Sequence, residues 1–270
     1  MGRSGAPAGR GRVRAARGLA AGGCLATLVA AVGVWARRQL LDTDRWVRTS
    51  DDLLREPAIR DELASYLAGQ LAGTSGLRAP AERLARQALG SPTFESLWRT
   101  TSRATHAHFV ALVRSERHAE LTLDLRPLLV RLAEQAGLPP SLLPPDSGRV
   151  RVLRPDQLDA VRDGADVLDA VARWSVALTA ATFSAAFALG RTRMLTTAGV
   201  GLQLVGLLLL AGRSLAGAAI ADELARRGRA EEAAQATWSI ATSRLKEIAT
   251  GLALTGAASA AIGLAAKARA

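Results

Sequence analysis

The sequence predicts a mainly α-helical membrane protein, with about four transmembrane helices plus an α-helical extracytoplasmic domain carrying a small two-stranded sheet. Three observations carry that expectation. Two apolar runs, 174–190 and 194–212, contain no ionisable residue and are separated only by Arg191, Thr192 and Arg193. Another apolar run, 18–36, follows an arginine-rich tail. The long segment between them is charge-balanced and changes from helical to alternating periodicity partway along. A bilayer core of ~30 Å takes roughly 17–25 apolar helical residues to cross, so 174–212 reads as a transmembrane hairpin. The positive-inside bias puts its Arg-Thr-Arg turn in the cytoplasm, and that orients everything else.

Residues 1–17 are rich in Gly, Ala and Arg, lack periodicity, and read as a disordered basic cytoplasmic tail. The run 18–36 then reads as a transmembrane anchor. A basic tail before an apolar run also describes a signal peptide. Here the run ends in Trp35, meets Arg37 and Arg38, and offers no small-x-small site, so an uncleaved anchor is expected. Arg37 and Arg38 oppose the positive-inside bias, but Arg3, Arg10, Arg12, Arg14 and Arg17 on the other flank outweigh them. Cys24 is the one cysteine of the chain and lies inside this run, which excludes an intrachain disulfide. It is not a lipoprotein cleavage site, because almost no apolar segment precedes it.

Residues 37–173 are expected to form the extracytoplasmic helical domain. Pro57 opens a helix with Ile59, Leu63, Tyr66, Leu67 and Leu71 on one face. The sequence GTSG at 73–76 breaks it, and a second helix after Pro80 turns Leu84, Ala85 and Ala88 inward. Ser91 and Pro92 are an N-cap and first-turn pair. They start a helix whose expected stripe is Phe94, Leu97, Trp98, Thr101, Thr105, His108 and Leu112. Residues 120–125 then alternate strictly, as do 149–152, which marks two strands. Glu120 and Asp124 on one and Arg149 and Arg151 on the other would face each other, at ~0.2–1 kcal/mol per opposite-charge pair. Between the strands come a short helix, 127–136, and a proline-rich connector, 139–145. A last helix, from Asp156 with Leu158, Val161, Leu168 and Val171, leads into the second span.

Residues 174–270 are expected to form a C-terminal membrane bundle with spans 174–190, 194–212 and 248–266. Within it, 214–247 is charge-balanced, with Ala234, Trp238, Ala241, Leu245 and Ile248 as an apolar seam. The last span is rich in Ala and Gly, and a buried or interfacial helix is its alternative. Gly251, Thr255, Ser259 and Gly263 recur every four residues, a spacing that allows close helix approach.

The net charge of +11 raises nucleic-acid binding. Its distribution argues against it: residues 37–173 hold 20 Arg against 19 Asp and Glu, and most of the excess sits in the tail, the 191–193 turn and the C-terminus. The basicity is an orientation signal, and no nucleic-acid partner is expected. No catalytic, cofactor-binding or metal residues emerge either. His106 and His108 are two apart, ~200° around a helix, so they cannot share a metal. The stripe makes His108 the packed one and His106 the exposed one. Asp42, Asp44, Asp51 and Asp52 lack the glycine and terminal glutamate of a calcium loop and read as caps and surface ion pairs. There is no P-loop, HExxH, GxSxG or CxxC. The four runs hold no charge of the kind that marks an ion pathway, and Gln203 is their most polar side chain.

Several short stretches carry a family resemblance: LDTDRWV at 41–47, PAIRDEL at 57–63, FESLW at 94–98, LDL at 123–125 and the late hairpin. On them the chain resembles a group of uncharacterised actinobacterial multi-pass integral membrane proteins. Lysine at only 246 and 267 beside abundant arginine fits the GC-rich genome of such a source. What the resemblance implies is architecture: an N-terminal anchor, an extracytoplasmic helical domain and C-terminal transmembrane hairpins. The functional expectation is a non-enzymatic structural or partner-binding envelope protein of the cell membrane. Its expected partners are the lipid bilayer, and an envelope protein or a second copy joined through small-residue helix faces. A sensor or transport-accessory subunit is the alternative, and a lipid- or cell-wall-acting enzyme ranks third.

Overall fold

The computed structural model describes residues 8–72, 78–115, 121–135, 139, 141, 143, 147–190, 192–226 and 231–269. In chain order these form α1 (Ala8–Leu41), α2 (Thr43–Arg55), α3 (Pro57–Ala72), α4 (Arg78–Leu89), α5 (Pro92–Val113) and β1 (Leu121–Asp124). There follow α6 (Arg126–Gln135), β2 (Arg149–Leu153), α7 (Pro155–Gly190), α8 (Thr192–Arg226), α9 (Glu231–Ala241) and α10 (Ser243–Ala268). The chain divides into two compact units. A domain unit holds Arg38–Asp166 with Gly217–Ala241, and a bundle unit holds Met1–Arg37, Val167–Ala216 and Thr242–Ala270.

The domain unit starts where Asp42 caps α2, its carboxylate accepting from the Arg45 backbone N–H at 3.0 Å. Ser91 caps α5 in the same way, accepting from Phe94 N at 3.2 Å, with Pro92 in the first turn. Each cap satisfies an N–H that the helix itself leaves without a partner. The α3–α4 hairpin buries Ala64, Leu67 and Ala68 against Ala85, Ala88 and Leu89, and α6 adds Leu128, Leu129, Leu132 and Ala133 to that core. A second cluster joins Leu112 and Val113 of α5, Leu121 of β1, and Leu158 and Ala165 of α7.

The strands pair antiparallel, with Asp124 opposite Arg149, Leu123 opposite Val150 and Thr122 opposite Arg151. An irregularity between Leu121 and Thr122 shifts Leu121 to Leu153. The expected facing of Asp124 and Arg149 is therefore present, Arg151 lies across from Thr122, and Glu120 lies outside the described residues. The Asp124 carboxylate also accepts from Arg126 N at 2.9 Å, which helps start α6. Gly148 enters β2 at φ 81°, where L side chains pay a steric penalty, and its carbonyl accepts from Leu125 N at 2.8 Å. Most of the proline-rich connector lies outside the described residues.

In the bundle unit α1 and α7 run antiparallel. Gly23 meets Thr182 and Phe183, Gly33 meets Val171, and Arg37 forms an ion pair with Asp169. A Cβ on Gly33 would lie 3.2 Å from Val171 Cγ1. The α8–α10 pair is also antiparallel and closer still: a Cβ on Gly199 would come within 2.5 Å of Ala260 N, and one on Gly206 within 2.5 Å of Ala249 O. Ala31, Val205, Leu209, Leu245 and Ala249 form the buried cluster among α1, α8 and α10. Leu25, Leu208, Leu254 and Ile262 point outward. An apolar outer surface on long helices is what lipid contact requires, since water would leave it unstable.

Several expectations change. Helix α1 begins at Ala8, so residues 8–17 are helical; Ala and Arg are good helix formers and the span has already nucleated the helix. Three described helices have the length and composition to cross a membrane: Gly18–Leu41, Leu195–Leu224 and Ser243–Ala268. The run 174–190 is not among those three. Residues 217–241 join the domain unit rather than the bundle. Their apolar seam is split at Thr242, fully buried between α9 and α10, whose hydroxyl accepts from Arg213 Nε at 2.7 Å. The close face of α10 carries Ala249, Gly256, Ala260 and Gly263. Gly251 and Thr255 of the expected stripe are exposed, and of that stripe Gly263 alone is buried. The expected stripe repeats every four residues and the close face by threes and fours, both of which keep residues on one side of a helix, so spacing alone could not choose between them. The whole is a multi-pass, mainly helical membrane protein with a substantial helical extracytoplasmic domain.

Candidate binding site

The side chains singled out for chemistry are used for structure. Asp42 caps α2, Asp44 pairs with Arg103 at 2.6 Å, Asp51 with Arg99 at 2.8 Å and Asp52 with Arg55 at 2.8 Å. Among the described residues no group of three His, Cys, Asp or Glu could hold a metal ion.

The two histidines exchange the places expected for them. His106 is buried at 4% exposure and His108 is exposed. The inner stripe of α5 runs through Trp98, Ser102 and His106, one residue in every four, and turns two polar side chains toward α2. Ser102 and Ser50 share a hydrogen bond of 3.0 Å, and His106 Nδ1 lies 3.1 Å from Thr43 Oγ1. The imidazole stacks on Trp46 with centroids 4.9 Å apart at 20°, and Phe109 is tilted against it with centroids 5.6 Å apart. Burial pushes the His106 pKa below its ordinary value, opposed by the Leu40 backbone and by Asp42. A reading by apolar spacing passed over this stripe because its inner members are serine and histidine.

The feature suited to a ligand is an apolar groove of about 590 Å³ within the domain unit. That volume falls in the ~300–1,000 Å³ range of small-ligand sites. One wall is α3 with Ile59, Leu63 and Tyr66, the floor is Trp98, and the other wall is Ile220 and Leu224 of α8 with Ala234 and Trp238 of α9. Trp98 donates its indole N–H to Ser50 O at 3.2 Å, which satisfies the polar edge of this lining residue. A Cβ on Gly217 would meet Trp238 Cδ1 at 2.6 Å, so glycine there lets the indole lie against α8. Glu62, Tyr66 and Thr237 supply the polar rim, and the Thr237 hydroxyl is already bonded to Ala233 O at 2.7 Å. Ile59, Leu63 and Tyr66 were legible as one face of α3. What covers that face was not, because α8 and α9 are far away in the chain.

In the bundle unit a second apolar groove, about 480 Å³, lies between Cys24, Leu25 and Leu28 of α1 and Val200, Leu204 and Leu208 of α8. It sits on span residues, where bilayer chains fill such surfaces without any specific ligand.

Comparison with family models, with characterised proteins and with solved structures finds no match. The family resemblance read from the short motifs has no counterpart in these comparisons.

Proposed function

We propose that this is a non-enzymatic protein of the cell membrane that crosses the bilayer four times and binds a partner through its extracytoplasmic domain. Both termini and residues 191–193 lie in the cytoplasm in this reading, and 37–173 and 217–241 lie outside. The observation that carries it is the make-up of the domain unit, which takes both Arg38–Asp166 and Gly217–Ala241 into one compact body. A body outside the bilayer can hold both segments only if the chain crosses an even number of times between them. Helix α8 supplies one crossing, and α7 is the candidate for the other. Its residues 169–183 run beside residues 23–37 of α1, over the length of the first span.

The charges agree with this orientation. Arg37, which opposed the positive-inside bias, is paired with Asp169. Thr27, Thr179 and Thr182 return their hydroxyls to backbone carbonyls one turn back, which supports packing rather than conduction as their role. Partner binding rests on the groove, whose lining is mostly apolar. Cysteine labelling of intact cells, in a Cys24→Ser background, tests the topology. Strong labelling at position 90 with none at 5 or 192 is expected, and the reverse pattern overturns it. Co-purification from native membranes, with lipid and protein identification, tests the binding role.

A further inference from the structure

We infer that the α3–α8–α9 groove holds an acyl chain of a membrane phospholipid. The inference deepens the binding role proposed above and rests on the domain lying outside the bilayer. Three observations select this occupant.

The first is chemical. Ile59, Leu63, Trp98, Ile220, Leu224 and Trp238 line the groove with apolar surface, and its polar groups sit at the rim. An extended peptide would bring backbone N–H and C=O groups into a place with nothing to bond them, at a cost of several kcal/mol by transfer. A hydrocarbon chain carries no such groups and gains by burial of each methylene.

The second is position. Helix α8 carries both a span and the groove wall: the candidate span Leu195–Leu224 runs on past the uncharged run 194–212 and, beyond Arg213, takes in Ile220 and Leu224. Arg213, the first charge after the apolar run, precedes Ile220 by seven residues in the sequence. Even a fully extended chain of that length reaches only about 25 Å, so the groove is tied close to the bilayer surface, where lipid is the most concentrated apolar ligand.

The third is aromatic content. Tyr66, Trp98 and Trp238 all border the groove. Trp and Tyr are the side chains enriched at membrane–water interfaces, where an apolar ring body and a polar tip are both satisfied. Tyr66 is 38% exposed, which leaves its ring at the mouth.

The test uses the full chain in vesicles of phosphatidylethanolamine and phosphatidylglycerol doped with a phosphatidylcholine bearing a diazirine near the end of one acyl chain. After illumination, adducts are mapped by mass spectrometry. Adducts are expected within 59–66 and 220–238 in addition to the spans. Ala234→Trp, which fills the groove, is expected to lower the groove adducts about tenfold, the effect of a 1.4 kcal/mol change, and to leave span adducts unchanged. If that variant loses its thermal transition, Thr237→Arg at the exposed rim replaces it with the same expectation. Wild-type adducts confined to the spans overturn the inference and leave a protein partner to be found by co-purification. Groove adducts that neither variant reduces also overturn it. Failure of a cysteine at position 90 to label from outside in intact cells overturns the binding-domain reading itself.

Discussion

Gly256→Ala tests the backbone contact between α8 and α10. A Cβ there would stand 2.5 Å from Gly199 O, where ordinary contact begins at 3.4 Å, so the two helices must separate by about 0.9 Å. The obstructing atoms belong to the α8 backbone, so no side chain can swing aside. A gap of 0.5–1 Å forfeits roughly a quarter to a half of each pairwise dispersion well, and the neighbouring contacts of Gly199 with Ala260 loosen with it. Overpacking of this kind costs about 1–3 kcal/mol. Ala also gains helix propensity over Gly, ~0.5–1 kcal/mol in water, and that gain must be removed from the comparison. Gly251→Ala does so, since nothing lies within 4 Å of a Cβ at that position on the same helix. The assay is reversible unfolding of the full chain in mixed micelles, raising the fraction of denaturing detergent and following helicity. Gly256→Ala should unfold at a lower fraction than the wild type and Gly251→Ala at the same fraction or higher. Equal midpoints for the two variants would refute the close approach of α8 and α10.

Three further outcomes are expected. Gly148→Ala should destabilise the domain by about 2 kcal/mol or more in a urea melt, because φ 81° costs an L residue ~1–2 kcal/mol and the new Cβ meets Arg126 N at 2.7 Å; an unchanged midpoint would contradict that turn. His106 has a depressed pKa, so folding favours the neutral ring. Its contribution is full above the unfolded value of about 6.5 and is lost as pH falls through the folded value. His106→Gln should flatten the stability profile between pH 7 and 5, and a variant as acid-sensitive as the wild type would remove His106 as the cause. Arg37 and Asp169 are 47% and 34% exposed, so a double-mutant cycle with Arg37→Gln and Asp169→Asn should give a coupling of about 0.2–1 kcal/mol that salt weakens. A coupling of zero would make the pair incidental to the α1–α7 contact.

The sequence by itself determined the features that depend on local composition and period. Runs without charge, such as 194–212, state their own membrane affinity, because transfer of apolar residues is nearly additive along a helix. The caps at Asp42 and Ser91 were readable because an N-cap bonds to N–H groups two or three residues ahead. The pairing of 121–124 with 149–153 was readable from alternation with opposite charge, although the shift at Leu121 was not. Tertiary structure alone decided which of two small-residue faces of α10 meets α8, since Gly251 and Gly256 have the same local chemistry and differ only in what stands opposite. It also turned His106 inward: Thr43 and Trp46 complete its surroundings, and nothing within α5 announces them. The groove belongs to the same class. Its walls come from α3, α5, α8 and α9, and a cavity is a property of surfaces brought together, which no single stretch of chain contains.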